Sequence, residues 1–342
     1  MRHTLAANSL LVKETRPAPE DIQAAFSIIK KDLAALENEL LASIHSPVKL
    51  VMDAGQHLVK AGGKRIRPAL FLVCARAGRR PKEAVLLPLA MAIEMIHMAT
   101  LVHDDVIDVS AIRRGRPTVN AKWGNYVAVL TGDYLFAKAF DIIAPFVSKK
   151  MLAVLSRVIT IMCEGEIKQT TVQYDPEVTE DDYLGRIAAK TAEFMAACAE
   201  LGAMAGGFSP AGVAALRRYG FGLGMAFQIT DDLLDFTASS EQLGKPAGND
   251  LRQGIVTLPV IHALRSSPER RLLYEIILSR DMDETRVQRA IDIVQASGSL
   301  AYAADLARRY LEEAKSSLPA ALGGEIRTAL TAVADFVGQR RN

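Results

Sequence analysis

The sequence predicts an all-α protein, and three observations support this fold class. The helix-forming residues Ala, Leu, Ile, Met, Glu, Lys and Arg dominate the 342-residue chain. Alternating runs of β-branched and aromatic residues, which are typical of strands, are scarce. Apolar segments of helical length are separated by short clusters of Pro and Gly, which favour turns. Because 50% of the residues are hydrophobic, the chain can bury a sizeable core.

Turn signals divide the chain into a series of helices. The Pro and Gly clusters lie at 61–68, 77–81, 113–118, 206–210 and 243–250. Between them we expect helices at about 20–60, 84–109, 120–145, 150–173, 180–205 and 211–239, followed by several more in the tail. No linker-like composition separates two domains, so we expect a single domain over residues 21–342 and a disordered segment at 1–20.

The charge balance argues against a nucleic-acid partner. Lys and Arg number 41 against 39 Asp and Glu, and the net charge of +2 gives no global attraction to nucleic acid or to an anionic membrane. The cysteines Cys74, Cys163 and Cys198 are widely spaced in apolar surroundings, so we expect buried, reduced thiols. The first residues lack a signal-peptide pattern, and no segment has 18 uninterrupted apolar residues. We therefore expect a cytoplasmic protein.

Two aspartate clusters with the same spacing are the strongest functional signal. The segment 83–105 is apolar nearly all round, which predicts a helix inside a bundle, with its carboxylates facing an interior cavity. Asp104, Asp105 and Asp108 end it, and Asp231, Asp232 and Asp235 repeat the pattern in "FQITDDLLDF". Positions i and i+4 share a helix face, so Asp104 and Asp108 should point inward, with Asp105 displaced to one side. Asp231 and Asp235 should likewise point inward, with Asp232 aside.

Carboxylates that converge in a low-dielectric cavity require cations between them. Oxygen ligands without nearby His or Cys clusters suit Mg²⁺, whose remaining ligands are commonly waters and substrate phosphates. The alternative is two solvent-exposed acidic helix ends. Two copies in such apolar helices make that alternative the weaker one, and acidic residues at a helix carboxyl end oppose the macrodipole at a cost that a bound cation offsets. The aspartates therefore indicate a phosphorylated ligand.

Basic loops lie where such a ligand would need them. "GGKRIRP" presents Lys64, Arg65 and Arg67 beside two glycines whose backbone can approach an anion closely. "RRGRPT" follows the first aspartate cluster and presents Arg113, Arg114 and Arg116. Each run alone would be read as a solvated basic turn. Their position around the aspartates favours phosphate binding.

The ordered motifs resemble those of the trans-polyprenyl diphosphate synthases from about residue 40 onward. They are "GGKRIRP", "EMIHMATLVHDDVIDVSAIRRGRPT", "GD", "GEIKQ", "KTAE", "FQITDDLLDF" and "GKPAGNDLRQGIVTLP". Within the family they are most similar to the catalytic subunits of heptaprenyl diphosphate synthases, which make menaquinone side chains. The resemblance implies a single bundle of long helices around a deep central cavity. It also implies a homodimer or a heterodimer with a small partner subunit, and transient membrane proximity for product release.

The resemblance also implies residue roles. Three Mg²⁺ ions and an allylic diphosphate would be held by Asp104, Asp105, Asp108, Asp231, Asp232 and Asp235. The same diphosphate would contact Arg113, Lys190 and Lys245. Isopentenyl diphosphate would lie near the backbone of Gly63 and the side chains of Lys64, Arg67, His97 and Arg114. The developing carbocation would face Thr191 and Gln228.

At two positions, Ile255 and His97, this chain differs from many or some relatives, and a third residue, His103, is given no catalytic role. Many relatives carry Lys after the glycine of "DLRQG", where this chain has Ile255. Short-chain relatives often carry Gln at the position of His97, and both side chains can donate a hydrogen bond. His103, directly before the aspartates, is expected to be structural.

The expected chemistry is loss of diphosphate from an allylic substrate, followed by attack of the isopentenyl double bond on the cation. Apolar walls that include Phe227 would exclude water. Short-chain relatives commonly carry bulky aromatics four or five residues before the first aspartate, where this chain has Thr100 and Ala99. Further along the same helix lie Ile96, Met95 and Ala92. We expect a tunnel open past Ala99 and a product longer than farnesyl diphosphate, with heptaprenyl favoured.

Three other functions stay open on the sequence alone. A geranylgeranyl diphosphate synthase would share every motif and differ in product length. A class I terpene cyclase also ionises a diphosphate at an aspartate-rich helix, but such enzymes generally lack the isopentenyl diphosphate pocket that "GGKRIRP" indicates. A non-catalytic subunit would keep the fold without turnover, and the intact aspartate clusters argue against it.

Overall fold

The computed structural model describes residues 26–237 and 247–339. After a short 3₁₀ turn at Ser27–Ile29, the helices are α1 Lys30–Ser43, α2 Lys49–Lys60, α3 Ile66–Arg76, α4 Glu83–Ile107, α5 Val119–Trp123, α6 Asn125–Ile143, α7 Lys149–Thr170, α8 Glu180–Ile187, α9 Glu193–Ala205, α10 Pro210–Thr237, α11 Asn249–Arg252, α12 Leu258–Ser266, α13 Arg270–Ser279, α14 Glu284–Ala296, α15 Ser299–Ser317 and α16 Gly324–Gln339. A π-helical turn, Ala188–Ala192, joins α8 to α9. Strands β1 Ile112–Arg113 and β2 Arg116–Pro117 form a small antiparallel hairpin. The all-α fold class is confirmed.

Two of the expected helices are broken. The helix expected at 20–60 is interrupted between α1 and α2, where Pro47 favours an extended residue before it and Val48 is extended. The helix expected at 120–145 is divided at Gly124, which has φ +85° and ψ 161°. An L side chain rarely adopts this backbone conformation, so the single glycine ends α5 and starts α6. Residues 1–20, expected to be disordered, lie outside the described residues.

Helix α4 lies in the interior, as its composition predicts. It packs along α6, while α10 packs along α9 and α15. By length and composition α4 could cross a membrane, but 72% of its most apolar 18-residue window is buried within the protein. A continuous apolar core runs from Ile29 near the start of the described chain to Val337 near its end.

Small residues allow helix α9 to approach its neighbours closely. A Cβ added at Gly202 would lie 2.3 Å from the backbone oxygen of Phe71 on α3. On the opposite side, a Cβ at Gly224 of α10 would lie 2.6 Å from the Cα of Ala192. These contacts bring the backbones of α3, α9 and α10 together, and they place the π-helical turn directly against α10.

The cysteine prediction is correct for two residues and wrong for the third. Cys74 and Cys198 are free and fully buried, and burial raises the pKa of the Cys198 thiol to about 12. Cys163 is free but exposed. Its neighbour Met162 faces the core, and one residue further along a helix the side chain turns by about 100°. The apolar sequence around Cys163 does not reveal this change of face.

We expect Gly202→Ala to lower the free energy of unfolding by about 2 kcal/mol, because the added methyl overlaps a backbone oxygen that cannot move alone. The control is Gly185→Ala in α8, where an added Cβ has nothing within 4 Å. Replacing that helical glycine should stabilise the protein by about 0.5 to 1 kcal/mol. Denaturant unfolding measures both variants, and equal effects would contradict the packing described at Gly202.

Candidate active site

The first aspartate cluster lies at the carboxyl end of α4. Asp105 is 3% exposed, and its Oδ1 accepts a hydrogen bond from Arg113 Nε at 2.7 Å. Asp108 is exposed, because α4 ends at Ile107 and Asp108 is the capping residue. Exposure thus differs within the cluster, because Arg113 covers Asp105 while Asp108 lies at the accessible helix end. The inward direction expected for Asp108 stays a prediction.

Asp104 is half-buried, and its pKa is the most strongly raised of this cluster. Burial raises its pKa to about 6, and the negative charges of Glu166 and Asp108 act in the same direction. The ammonium group of Lys190 opposes this rise. Asp108 therefore still lies within the electrostatic reach of Asp104, although its side chain is exposed.

The second cluster lies near the carboxyl end of α10. Asp232 is buried, whereas Asp231 is exposed. Asp232 accepts hydrogen bonds from the hydroxyl of Tyr183 at 2.8 Å and from Nε2 of Gln228 at 2.9 Å. Burial raises the pKa of Asp232 to about 6, while these two hydrogen bonds act against the rise. The inward direction expected for Asp231 stays a prediction.

Asp235 is buried, and its carboxylate holds the start of α11. Its Oδ1 accepts from the backbone N–H of Asn249 at 3.2 Å and its Oδ2 from that of Asp250 at 3.1 Å. These bonds hold the start of α11 against the end of α10. Lys245, expected to contact the allylic diphosphate, lies outside the described residues.

The π-helical turn connects the two clusters. Lys190 Nζ lies 2.8 Å from Glu166 Oε1 on α7, and its charge also acts on Asp104. The hydroxyl of the next residue, Thr191, donates to Gln228 Oε1 at 2.9 Å. The extra residue of a π turn lets neighbouring side chains serve different helices, and such turns occur frequently at functional sites.

Gln228 completes the connection, because its amide nitrogen donates to Asp232 while its amide oxygen accepts from Thr191. Hydrogen bonds thus run from Thr191 of the turn through Gln228 to Asp232, and the charge of the adjacent Lys190 acts on Asp104. The π-helical turn therefore links the two aspartate clusters, which the sequence expects to face one cavity.

The carboxylates suit a hard divalent cation. Within residues 26–237 and 247–339 no three His, Cys, Asp or Glu side chains lie close enough to hold a metal ion by themselves. Asp104 and Asp232 are carboxylates whose raised pKa values reflect desolvation of negative charge, and a cation would relieve it. This donor set fits an ion such as Mg²⁺ that takes its remaining ligands from water and a phosphorylated substrate.

A basic pocket lies beside the first aspartate cluster. Arg67 Nη1 lies 3.1 Å from Nε2 of His97, and the Arg67 guanidinium stacks over the ring of Phe194 at 5.2 Å. A Cβ added at Gly63 would lie 2.7 Å from Nη1 of Arg114. The "GGKRIRP" and "RRGRPT" loops, about 50 residues apart in sequence, are thus adjacent in space.

His97 is neutral in this pocket. Burial lowers its pKa well below the ordinary range, and the positive charges of Arg67 and Arg114 lower it further. A neutral imidazole keeps one N–H that can donate to an anion. Lys64 is exposed on the loop nearby.

The residues expected to determine chain length lie in the interior. Ala92, Met95, Ile96 and Ala99 have no solvent-exposed surface. Thr100 is half-buried, and its hydroxyl donates back to the carbonyl oxygen of His97 at 2.8 Å.

His103 occupies a packing position between α4 and α6. Its Nε2 lies 3.1 Å from the carbonyl oxygen of Val129, and a Cβ at Gly132 would overlap the imidazole. These contacts agree with the structural role expected from the sequence.

Several site residues escape sequence reasoning. Tyr183 contacts Asp232 from another helix, and nothing local distinguishes it. Glu166, which contacts Lys190, lies in the motif "GEIKQ" without a role assigned from the sequence. Glu94 carries a further signal, because it is the only acidic residue between positions 84 and 103. Its contacts are described below.

The loop that contains Ile255 is held by an aromatic contact that the sequence does not indicate. The backbone N–H of Tyr174 donates to the carbonyl of Gly254 at 2.8 Å, and the Tyr174 hydroxyl donates to that of Arg252 at 3.0 Å. Gly254 has φ +73°, and a Cβ there would lie 2.5 Å from the Tyr174 ring. The glycine before Ile255 is therefore required both by the backbone and by this contact.

The fold and the paired aspartate clusters define an isoprenoid synthase. The family model described as polyprenyl synthetase matches residues 48–294, more than half of the chain. The protein belongs to the polyprenyl synthetase family and is a trans-prenyltransferase.

Individual relatives agree with this assignment. Heptaprenyl diphosphate synthase component 2 of Geobacillus stearothermophilus is 42% identical over 93% of this chain and 99% of that protein. Octaprenyl diphosphate synthase of Escherichia coli (strain K12) is 36% identical over 91% of this chain and 96% of that protein. A solved polyprenyl synthase from Caulobacter crescentus CB15, complexed with calcium and isoprenyl diphosphate, has a TM-score of 0.87 and 38% identity and covers 94% of this chain and 98% of that chain.

We expect Tyr183→Phe to raise the divalent-metal concentration needed for half-maximal activity by about tenfold, because a buried Asp232 loses a hydrogen bond that orients it. Tyr219→Phe is the control, since its hydroxyl donates to the backbone oxygen of Leu330 away from the aspartates. That variant should lose stability without a change in metal requirement. A metal titration that moves equally in both variants would contradict the role given to Tyr183.

Proposed function

We propose that this chain condenses an allylic diphosphate with successive isopentenyl diphosphates to form a medium- or long-chain all-trans polyprenyl diphosphate for quinone side chains, with heptaprenyl diphosphate as the favoured product. One observation carries the proposal. The π-helical turn of Lys190 and Thr191 links the two aspartate clusters through Gln228, and the pocket of Arg67 and Arg114 lies beside the first of them, next to the Arg113 that holds Asp105.

The aspartate side would take the allylic diphosphate. Asp104, Asp105, Asp108, Asp231, Asp232 and Asp235 would hold Mg²⁺, with three ions expected when substrate is bound. When bound, Mg²⁺ neutralises negative charge on the departing diphosphate. Lys190 and Lys245 would contact this diphosphate, and Arg113 would exchange its bond with Asp105 for one with phosphate oxygens.

The arginine side would take isopentenyl diphosphate. Lys64, Arg67 and Arg114 supply positive charge, and the neutral His97 can donate one hydrogen bond without adding charge. The backbone of Gly63 can approach the phosphate because it has no side chain. The resulting separation of two diphosphate groups suits a reaction in which one leaves and the other stays attached.

Between the two diphosphates lie groups suited to a carbocation. The Thr191 hydroxyl and the Gln228 amide oxygen form one hydrogen-bonded pair whose oxygen atoms can stabilise positive charge. Phe227, partly buried beside Gln228, belongs to the apolar wall that would exclude water. The released diphosphate is the expected acceptor of the proton that is lost.

Chain length follows from the interior face of α4. Ala99 and Thr100 are small side chains at positions where an aromatic one would block a growing chain, and Ala92, Met95 and Ile96 are apolar and buried further along the helix. Met95 is flexible enough to make room for a prenyl chain. The relatives named above, which form heptaprenyl and octaprenyl diphosphates, support a product in this range.

A partner subunit forms part of the proposal. The Geobacillus relative is named component 2, which supports a heterodimer with a small, dissimilar chain. A homodimer is the alternative, and the exposed apolar side chains Tyr126, Val129 and Leu130 on α6 offer a surface for either partner. We propose a cytoplasmic enzyme that approaches the membrane transiently to release its product and that binds no nucleic acid.

The decisive experiment incubates the purified chain with Mg²⁺, farnesyl diphosphate and radiolabelled isopentenyl diphosphate, alone and after co-expression with a small subunit of the heptaprenyl synthase type. The products are dephosphorylated and sized. Linear polyprenols of about seven isoprene units support the proposal. Chains that stop at geranylgeraniol indicate a short-chain synthase, cyclic hydrocarbons indicate a cyclase, and silence in both preparations indicates a non-catalytic subunit.

We expect Ala99→Phe to shorten the products to about fifteen or twenty carbons, because a ring one turn before Asp104 would block growth of the chain. Ala99→Ser is the matched control, since its hydroxyl can bond back to a carbonyl of the same helix and adds little volume. Its products should keep the wild-type length. An unchanged product ladder in Ala99→Phe would rule out the proposed tunnel.

A further inference from the structure

Glu94 is a buried carboxylate in the middle of α4 that the reaction described above does not use. It is 2% exposed, and its Oε1 accepts a hydrogen bond from Arg65 Nη1 at 2.5 Å. Its other oxygen, Oε2, is buried without a hydrogen-bond partner among the described residues. Burial of such a group is costly unless a function or a complete set of partners retains it.

Arg65 links Glu94 to the glycine loop. It has φ +47°, a left-handed conformation that is rare for a residue with a side chain, and it precedes the first residue of α3. Its guanidinium is buried and held from a second side by Glu37 of α1, which accepts from Nε at 2.6 Å and from Nη2 at 3.1 Å. The surrounding ion pairs therefore maintain a strained backbone at the point where the loop becomes a helix.

The residues on either side of Arg65 are those assigned to isopentenyl diphosphate. Lys64 precedes it and Arg67 follows in the first turn of α3. The Nε of Arg67 is buried and, like Oε2 of Glu94, has no hydrogen-bond partner within the described residues. Glu94 also attracts the charges of Arg67 and Arg114.

An ion pair retained for stability alone would satisfy both of its partners. Here a buried acceptor and a buried donor are left unpaired in one cluster, and the residue between them is strained. Hydrophobic side chains of similar size often replace a buried ion pair without loss of stability. The retained charge of Glu94 is therefore better explained by the position that it imposes on Arg65.

We propose that Glu94 is a positioning residue of the isopentenyl diphosphate subsite, which clamps Arg65 and thereby orients Lys64 and Arg67 toward the phosphates without contacting the ligand. This inference rests on the proposed function, because it assumes that the arginine pocket takes isopentenyl diphosphate. It assigns to α4 a second role besides carrying the first aspartate cluster.

Calorimetric binding to the full chain, in the presence of Mg²⁺, tests the proposal without relying on turnover. The probes are isopentenyl diphosphate and the non-ionising allylic analogue farnesyl thiolodiphosphate. Glu94→Gln should weaken binding of isopentenyl diphosphate by about tenfold or more, because Arg65 loses its buried counter-charge. Binding of the allylic analogue should stay within about twofold, since the aspartate clusters do not depend on the clamp.

Glu200→Gln is the matched control. Glu200 on α9 is also a partly buried glutamate with two arginine partners, Arg157 at 3.1 Å and Arg217 at 3.3 Å, and it lies outside the proposed subsite. Removing its charge should leave both affinities within about twofold of the wild type.

A second variant keeps the test decisive if Glu94→Gln does not fold. Arg65→Met combined with Glu94→Leu removes both buried charges, and Glu37, which loses Arg65 as partner, is solvent-exposed, so no uncompensated buried ion remains. This double variant should fold and show the same selective loss of isopentenyl diphosphate binding. Wild-type affinity in a folded variant, or equal weakening of both ligands, would overturn the positioning role.

The wild-type chain separates this inference from the proposed function. If the wild type binds no isopentenyl diphosphate, the subsite assignment itself is wrong. If the wild type binds it and the folded variants bind it equally well, only the role of Glu94 fails.

Discussion

The burial of negative charge at the ends of two apolar helices is the constraint on which the rest of the structure depends. A carboxylate in such surroundings needs compensation, and each buried aspartate obtains it from a different element. Asp105 is compensated by Arg113 of the β-hairpin, and Asp232 by hydrogen bonds from Tyr183 of α8 and Gln228 of its own helix. Arg113 and Gln228 are 8 and 4 residues from the aspartates that they contact, whereas Tyr183 is 49 residues from Asp232. The hairpin, α8 and α10 must therefore lie where they do if the two clusters are to be buried at all.

The π-helical turn links the two aspartate clusters. Lys190 serves the first cluster and Thr191 the second, and the turn is pressed against α10 by the contact of Ala192 with Gly224. A bulkier residue at Gly224 would separate the turn from Gln228 and interrupt the hydrogen bonds that connect the aspartates. Packing of the small residues Ala192 and Gly224 thus controls the position of the side chains of Lys190 and Thr191 in the same turn.

In the proposed reaction, helix α4 would also set the spacing of the two substrates. Glu94 and Asp104 are ten residues apart on this helix, which corresponds to about 15 Å along the helix axis. Glu94 contacts Arg65, and Asp104 belongs to the first aspartate cluster. A mostly buried helix would keep the two proposed diphosphate subsites at a constant separation while a hydrocarbon chain grows.

The sequence by itself determined the helical class, most of the turn positions, both aspartate clusters and both basic loops, because these depend on local composition and spacing. It could not determine which aspartate of each pair is buried. That depends on where α4 ends and on which neighbour approaches, and Asp105 and Asp232 are buried because Arg113 and Tyr183 reach them. The exposure of Cys163 was decided in the same way. Helical periodicity specifies which residues share a face, but only tertiary packing specifies what that face meets.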